Sequence, residues 1–139
     1  MPKSADTLPD TNAVLRYLLR DVPAQFEQAA DFFEQVRTGK KKIVLFESVL
    51  VECIYILTKY YKVPQKEASA ALSGLMQYKG VVNKDKAVLS EALALYGENN
   101  LDPVDCILLA KAGHESMVIF SFDKALINAA AKSAKGDKA

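Results

Sequence analysis

The chain has 139 residues, half of them hydrophobic, which fits one compact domain over residues 1–139 with a buried core. Eighteen basic residues stand against 17 acidic ones, so a nucleic-acid partner cannot be read from net charge and any basic surface must be local. The longest apolar-rich stretch, Val49 to Leu57, contains Glu52 and is too short to span a bilayer, so a soluble, cytoplasmic protein with no membrane partner is expected.

In chain order, Ala5 to Pro9 reads as a short, poor strand. Asp10, Thr11 and Asn12 then open a helix whose apolar positions are Val14, Leu15, Leu18 and Leu19. A second helix follows Pro23, its face of Phe26, Ala29, Ala30, Phe33 and Val36 keeping i, i+3, i+4, i+7 spacing until Gly39 stops it. Lys40 to Lys42 lead into Ile43 to Phe46, an apolar run short enough for a buried parallel strand. A helix spans Ser48 to Tyr60, and Pro64 begins another through Met76. Val81 and Val82 make a brief extended piece before a helix over Lys84 to Tyr96. Asp102 and Pro103 start a further helix running to Glu115. Met117 to Ser121 is the second clear strand, after which Asp123 leads into a short helix and a Lys-rich tail, residues 132–139, expected to be flexible.

Strands alternating with helices predict an α/β fold with a parallel sheet covered on both faces, whose ligands bind beyond the carboxyl ends of the strands. Asp10 follows the first strand and Asp123 the last, so both are expected at one sheet edge. Asp105 falls in the first turn of the helix that Asp102 caps. Glu52 is flanked by Val49 to Val51 and by Cys53 to Leu57, which suits a ligand turned toward an enclosed metal; its other reading is a surface glutamate. Taken singly, Asp10 reads as a helix cap, Asp105 as a dipole-complementing acid and Asp123 as a turn residue.

Two carboxylates about 4 Å apart repel by roughly 4 kcal/mol at an effective dielectric of 20. A divalent cation relieves this, and oxygen-only ligands favour Mg²⁺ or Mn²⁺, whereas zinc would want histidine or cysteine. The single histidine, His114, lies at the far end of the Asp105 helix. Such a metal site suits phosphoryl chemistry. Arg16 and Arg20 share a helix face and are candidate phosphate contacts, with ion pairing as the alternative. Tyr55, Tyr60 and Tyr61 with Lys59 and Lys62 offer a clamp for a single strand, against the commoner fate of packing or a protein interface. Cys53 and Cys106 read as buried, reduced thiols.

Four segments together carry a family likeness: LPDTNAVLRYLL over Leu8 to Leu19, SVLVE over Ser48 to Glu52, LDPVDCILLA over Leu101 to Ala110, and IFSFD over Ile119 to Asp123. In order and placement they resemble the motifs of PIN-domain ribonucleases, in particular VapC-type toxins. The resemblance implies a PIN-like three-layer fold, a central, mostly parallel sheet of four or five short strands with helices on both faces. It implies that Asp10, Glu52, Asp105 and Asp123 bind Mg²⁺ or Mn²⁺, that Asn12 positions the first acid or a water, and that Ser121 is the hydroxyl neighbour of the last. Endonucleolytic cleavage of RNA, a VapB-like antitoxin and a homodimer are the implied activity and partners. Ala125 stands where some relatives carry a further acid, which favours one firmly held ion. A catalytically silent RNA- or protein-binding module and a Mg²⁺-dependent small-molecule phosphohydrolase are the rival readings.

Overall fold

In a computed structural model, which describes residues 5–137, the chain is a helical assembly with seven α-helices among those residues. Helix α1, Thr11–Leu19, begins where the Asp10 carboxylate accepts the Ala13 N–H at 2.8 Å and ends at Arg20 in the left-handed region. Helix α2, Pro23–Thr38, has proline in its first turn and Gly39 at φ 88° as its stop. Helix α3, Glu47–Tyr55, passes into a π-helical turn, Ile56–Tyr60, where one α-helix was expected. Then come α4, Gln65–Met76, α5, Lys86–Glu98, and α6, Pro103–Glu115. Helix α7, Lys124–Asp137, continues through the stretch read as a tail, of which residues 138–139 lie outside the described part. Helix α1 packs on α2 and α3, α4 on α5, α5 on α6, and α6 on α3 and α7. Phe33, Val36, Ile43, Leu45, Leu72, Leu75 and Met76 form the centre of the core.

The expected sheet is not there. Among the described residues no strand forms, and the extended segments meet only at isolated parallel bridges, Thr7 with Ile43 and Ile43 with Val81. The order and direction are those of a parallel sheet, but each ladder is one pair long. Two local causes shorten it. Pro9 has no N–H to extend the first segment. Beyond Ile43, the Asn83 side chain takes over the pairing: Leu45 N–H donates to Asn83 Oδ1 at 2.9 Å and Asn83 Nδ2 donates to the Leu45 carbonyl at 2.7 Å. The segment from Met117 to Phe122 also stays unpaired as a strand. Its exposure still alternates with period two: Val118, Phe120 and Phe122 face solvent, at 96, 87 and 90 % exposure, while Ile119 and Ser121 are half-buried.

Asn83 is buried, so substituting leucine orphans the Leu45 N–H and carbonyl together. Each unpaired buried group costs about 1–3 kcal/mol, and Asn83→Leu is expected to lower the unfolding free energy by about 2–4 kcal/mol in a urea titration. An unchanged midpoint would show that water satisfies both groups.

Candidate active site

Three of the four acids sit at helix beginnings. Asp10 caps α1, Asp105 lies in the first turn of α6, and Asp123 precedes α7, whose Leu126 N–H donates to Asp123 Oδ1 at 3.2 Å. Free N–H groups and the helix dipole favour negative charge at each of these places. The Ser121 hydroxyl accepts the Asp123 N–H at 3.0 Å, fixing the backbone that carries the acid. Ser121 thus lies beside Asp123 and contacts its backbone, not its carboxylate.

Asp105 and Asp123 face one cleft of about 230 Å³, which Asp102 also lines. Asp105 is half-buried. Its carboxyl is raised above the ordinary range, first by burial and then by the negative charges of Asp102 and Asp123. Asp102 occupies the cap position of α6 without donating or accepting a side-chain capping bond there.

Asp10 and Glu52 lie outside that lining. Asp10, with Asn12 and Arg16, borders a separate cleft of about 530 Å³ between α1 and α2. Glu52 is exposed on α3 and not enclosed as expected: one turn of α3 turns Leu50, Cys53 and Ile54 inward and Glu52 outward. The charges of Glu52 and Asp10 both reach the Cys53 thiol, which burial first of all pushes up to about 12, so these two acids share one neighbourhood. Both cysteines are buried free thiols, as read from the sequence. Among the described residues, no three His, Cys, Asp or Glu side chains stand close enough to hold one metal ion. The edge-sharing of Asp10 and Asp123 depended on a continuous sheet and lapses with it.

The candidate phosphate contacts are engaged elsewhere. Arg16 pairs with Asp21 at 2.7 Å and donates to the Tyr61 hydroxyl at 3.4 Å, while the Arg20 guanidinium lies 5.0 Å from the centre of the Phe26 ring. His114 bonds Glu91 at 2.5 Å, away from the cleft lining. Tyr55 and Lys59, two of the residues offered as a clamp for a single strand, line the same cleft as the acids, together with Thr58, Gln65 and Tyr96, which were not expected there. The i, i+4 spacing of Tyr55 and Lys59 was the signal available for that pair.

A solvent-open cleft whose acidic side chains offer oxygen ligands, set at helix N-termini, is the kind of site a nuclease-like domain presents. The PIN domain family model matches residues 7–132, and the chain belongs to that family. No curated protein and no solved structure matches it. PIN domains are generally nucleases, which are hydrolases, and these nucleases typically use divalent metals. Among the described residues no helix is long and apolar enough to cross a membrane.

Proposed function

We propose that the chain is a Mg²⁺- or Mn²⁺-dependent endoribonuclease and the toxin of a toxin–antitoxin pair, with a VapB-like antitoxin and a second copy of itself as partners in the cytoplasm. The observation that carries the chemistry is the shared cleft of Asp105 and Asp123, where burial and the neighbouring charges of Asp102 and Asp123 hold Asp105 above its ordinary pKa. That donor set fits a hard cation, because Mg²⁺ is commonly held by one or two carboxylates completed by water and substrate phosphate. Asp105 and Asp123 would hold it; Asp10 and Glu52, the other two acids of the quartet that the family resemblance implies, stand outside this cleft. When bound, the cation supplies phosphate polarisation and hydroxide at neutral pH. The chain's own part is to hold Asp123 through Ser121 and through the α7 N-terminus, and to set Asp105 where a cation relieves the burial and like charge that favour its protonated form.

A second reading, a PIN domain that binds RNA without cutting it, draws on the separation of Asp10 and Glu52 from the cleft. Incubation of labelled RNA with Mn²⁺ or EDTA distinguishes the two, since the nuclease nicks internal bonds only with metal. Metal relief of carboxylate repulsion also favours the folded state. At a Mn²⁺ concentration about ten times its Kd, the melting temperature is expected to rise by about 5 °C. A melting curve indifferent to Mn²⁺ and Mg²⁺ would remove the cation from the proposal.

A further inference from the structure

Resting on the nuclease reading, we infer that Lys59 binds a backbone phosphate of single-stranded RNA next to the one that a cation at Asp105 and Asp123 would hold, and that Tyr55 is its positioning residue. Both side chains line the acid-bearing cleft. The Lys59 ammonium lies 5.0 Å from the centre of the Tyr55 ring, close enough for the ring face to hold the charge in place. Among the described residues Lys59 makes no ion pair, although Asp102, Asp105 and Asp123 border the same cleft. An exposed ammonium thus shares a cleft with three carboxylates without an ion pair to any of them.

The backbone beneath it is unusual in the same place. Helix α3 ends at Tyr55 and the π-helical turn that follows carries Lys59, closed by Tyr61 N–H donating to the Ile56 carbonyl at 3.1 Å. The Thr58 hydroxyl donates to the Ile54 carbonyl at 2.8 Å and pins the turn. Single π turns are rare and recur at functional sites. The neighbouring aromatics are turned to other work: Tyr61 donates to Asp21 at 3.3 Å and Tyr60 points into solvent.

Charge explains what the pair does. A cleft of carboxylates repels a polyanion, and a cation held in the same cleft offsets that repulsion at one phosphate, setting the register of the strand. A volume of about 230 Å³ accommodates a short piece of an extended strand; whole drug-sized ligands take roughly 300–1,000 Å³.

The test uses a fluorescein-labelled 12-residue oligouridine and anisotropy titrations of the full chain in EDTA at several salt concentrations. Lys59→Gln is expected to weaken binding about five- to tenfold and to reduce the slope of log affinity against log salt by about 0.7, the signature of one lost phosphate contact on a single strand. Tyr55→Phe keeps the ring and is expected to match the wild type, whereas Tyr55→Leu follows Lys59→Gln. Lys84→Gln, exposed and outside the cleft lining, leaves both quantities unchanged. In Mn²⁺, Lys59→Gln is expected to raise KM with kcat preserved. Wild type that cleaves the strand while Lys59→Gln keeps its affinity and salt slope overturns this assignment alone, as does equal binding by Tyr55→Phe and Tyr55→Leu. Wild type that neither binds nor cleaves overturns the nuclease reading and this inference with it.

Discussion

Asp105→Asn is expected to cut Mn²⁺-dependent RNA cleavage by at least about 100- to 1,000-fold while leaving the fold intact, the scale seen when one charge-stabilising group is removed from a site. Its stability should move the other way. The folded-state carboxyl of Asp105 is raised by burial, Asp102 and Asp123, so the native state holds that proton more tightly than the unfolded chain does. Metal-free stability therefore falls as pH climbs from the unfolded value through the folded one. Asparagine removes that decline, and the metal-free variant is expected to melt higher than wild type at pH 7, with the gap closing below the ordinary carboxylate range. Asp10→Asn separates capping from chemistry at a second acid. Asparagine caps as well as aspartate, so the Ala13 N–H keeps its partner and only the charge is lost. Cleavage by either variant at the wild-type rate, measured on the same labelled RNA, would take that residue out of the mechanism.

Gly80→Ala is expected to cost more stability than alanine at Gly39, Gly74, Gly97 or Gly113, at least about 4 kcal/mol, enough to prevent folding at 37 °C. A Cβ at Gly80 would land on the Lys41 carbonyl oxygen and 2.7 Å from that of Val36, and backbone cannot swing aside as a side chain can. The same residue donates to the Val36 carbonyl and accepts from Ile43 N–H, both at 2.7 Å, so displacing it breaks the join between the end of α2 and the Ile43 bridge. Gly74→Ala is the control. It lies in α4 with nothing near its missing Cβ, and alanine there is expected to add about 0.5–1 kcal/mol through helix propensity. Urea titrations of the two variants should move in opposite directions. A Gly80→Ala protein with a wild-type midpoint would show that the α2 end and the Lys41 segment separate without cost.

Helices were the readable part of this chain. Asp10, Pro23, Gly39 and Pro103 act within a few residues of themselves, and α1, α2 and α6 begin and end where those residues place them. The π turn at Ile56 was invisible because its apolar periodicity matches that of an ordinary helix. Ile43 to Phe46 and Met117 to Ser121 have strand composition, yet a strand exists only if another segment supplies its partners. Asn83 usurps the pairing of Leu45, and nothing pairs with Val118 to Phe122 as a strand.

Residue order alone carried the family and the helical punctuation and singled out four candidate acids, since all of these are local or motif-borne. Which acids share a cleft was decided only by packing: α6 against α7 brings Asp105 and Asp123 together, while α1 against α2 opens a different cleft beside Asp10. The reason is that capping and periodicity act over one or two turns, whereas convergence of side chains far apart in the chain depends on how whole helices bury their apolar faces.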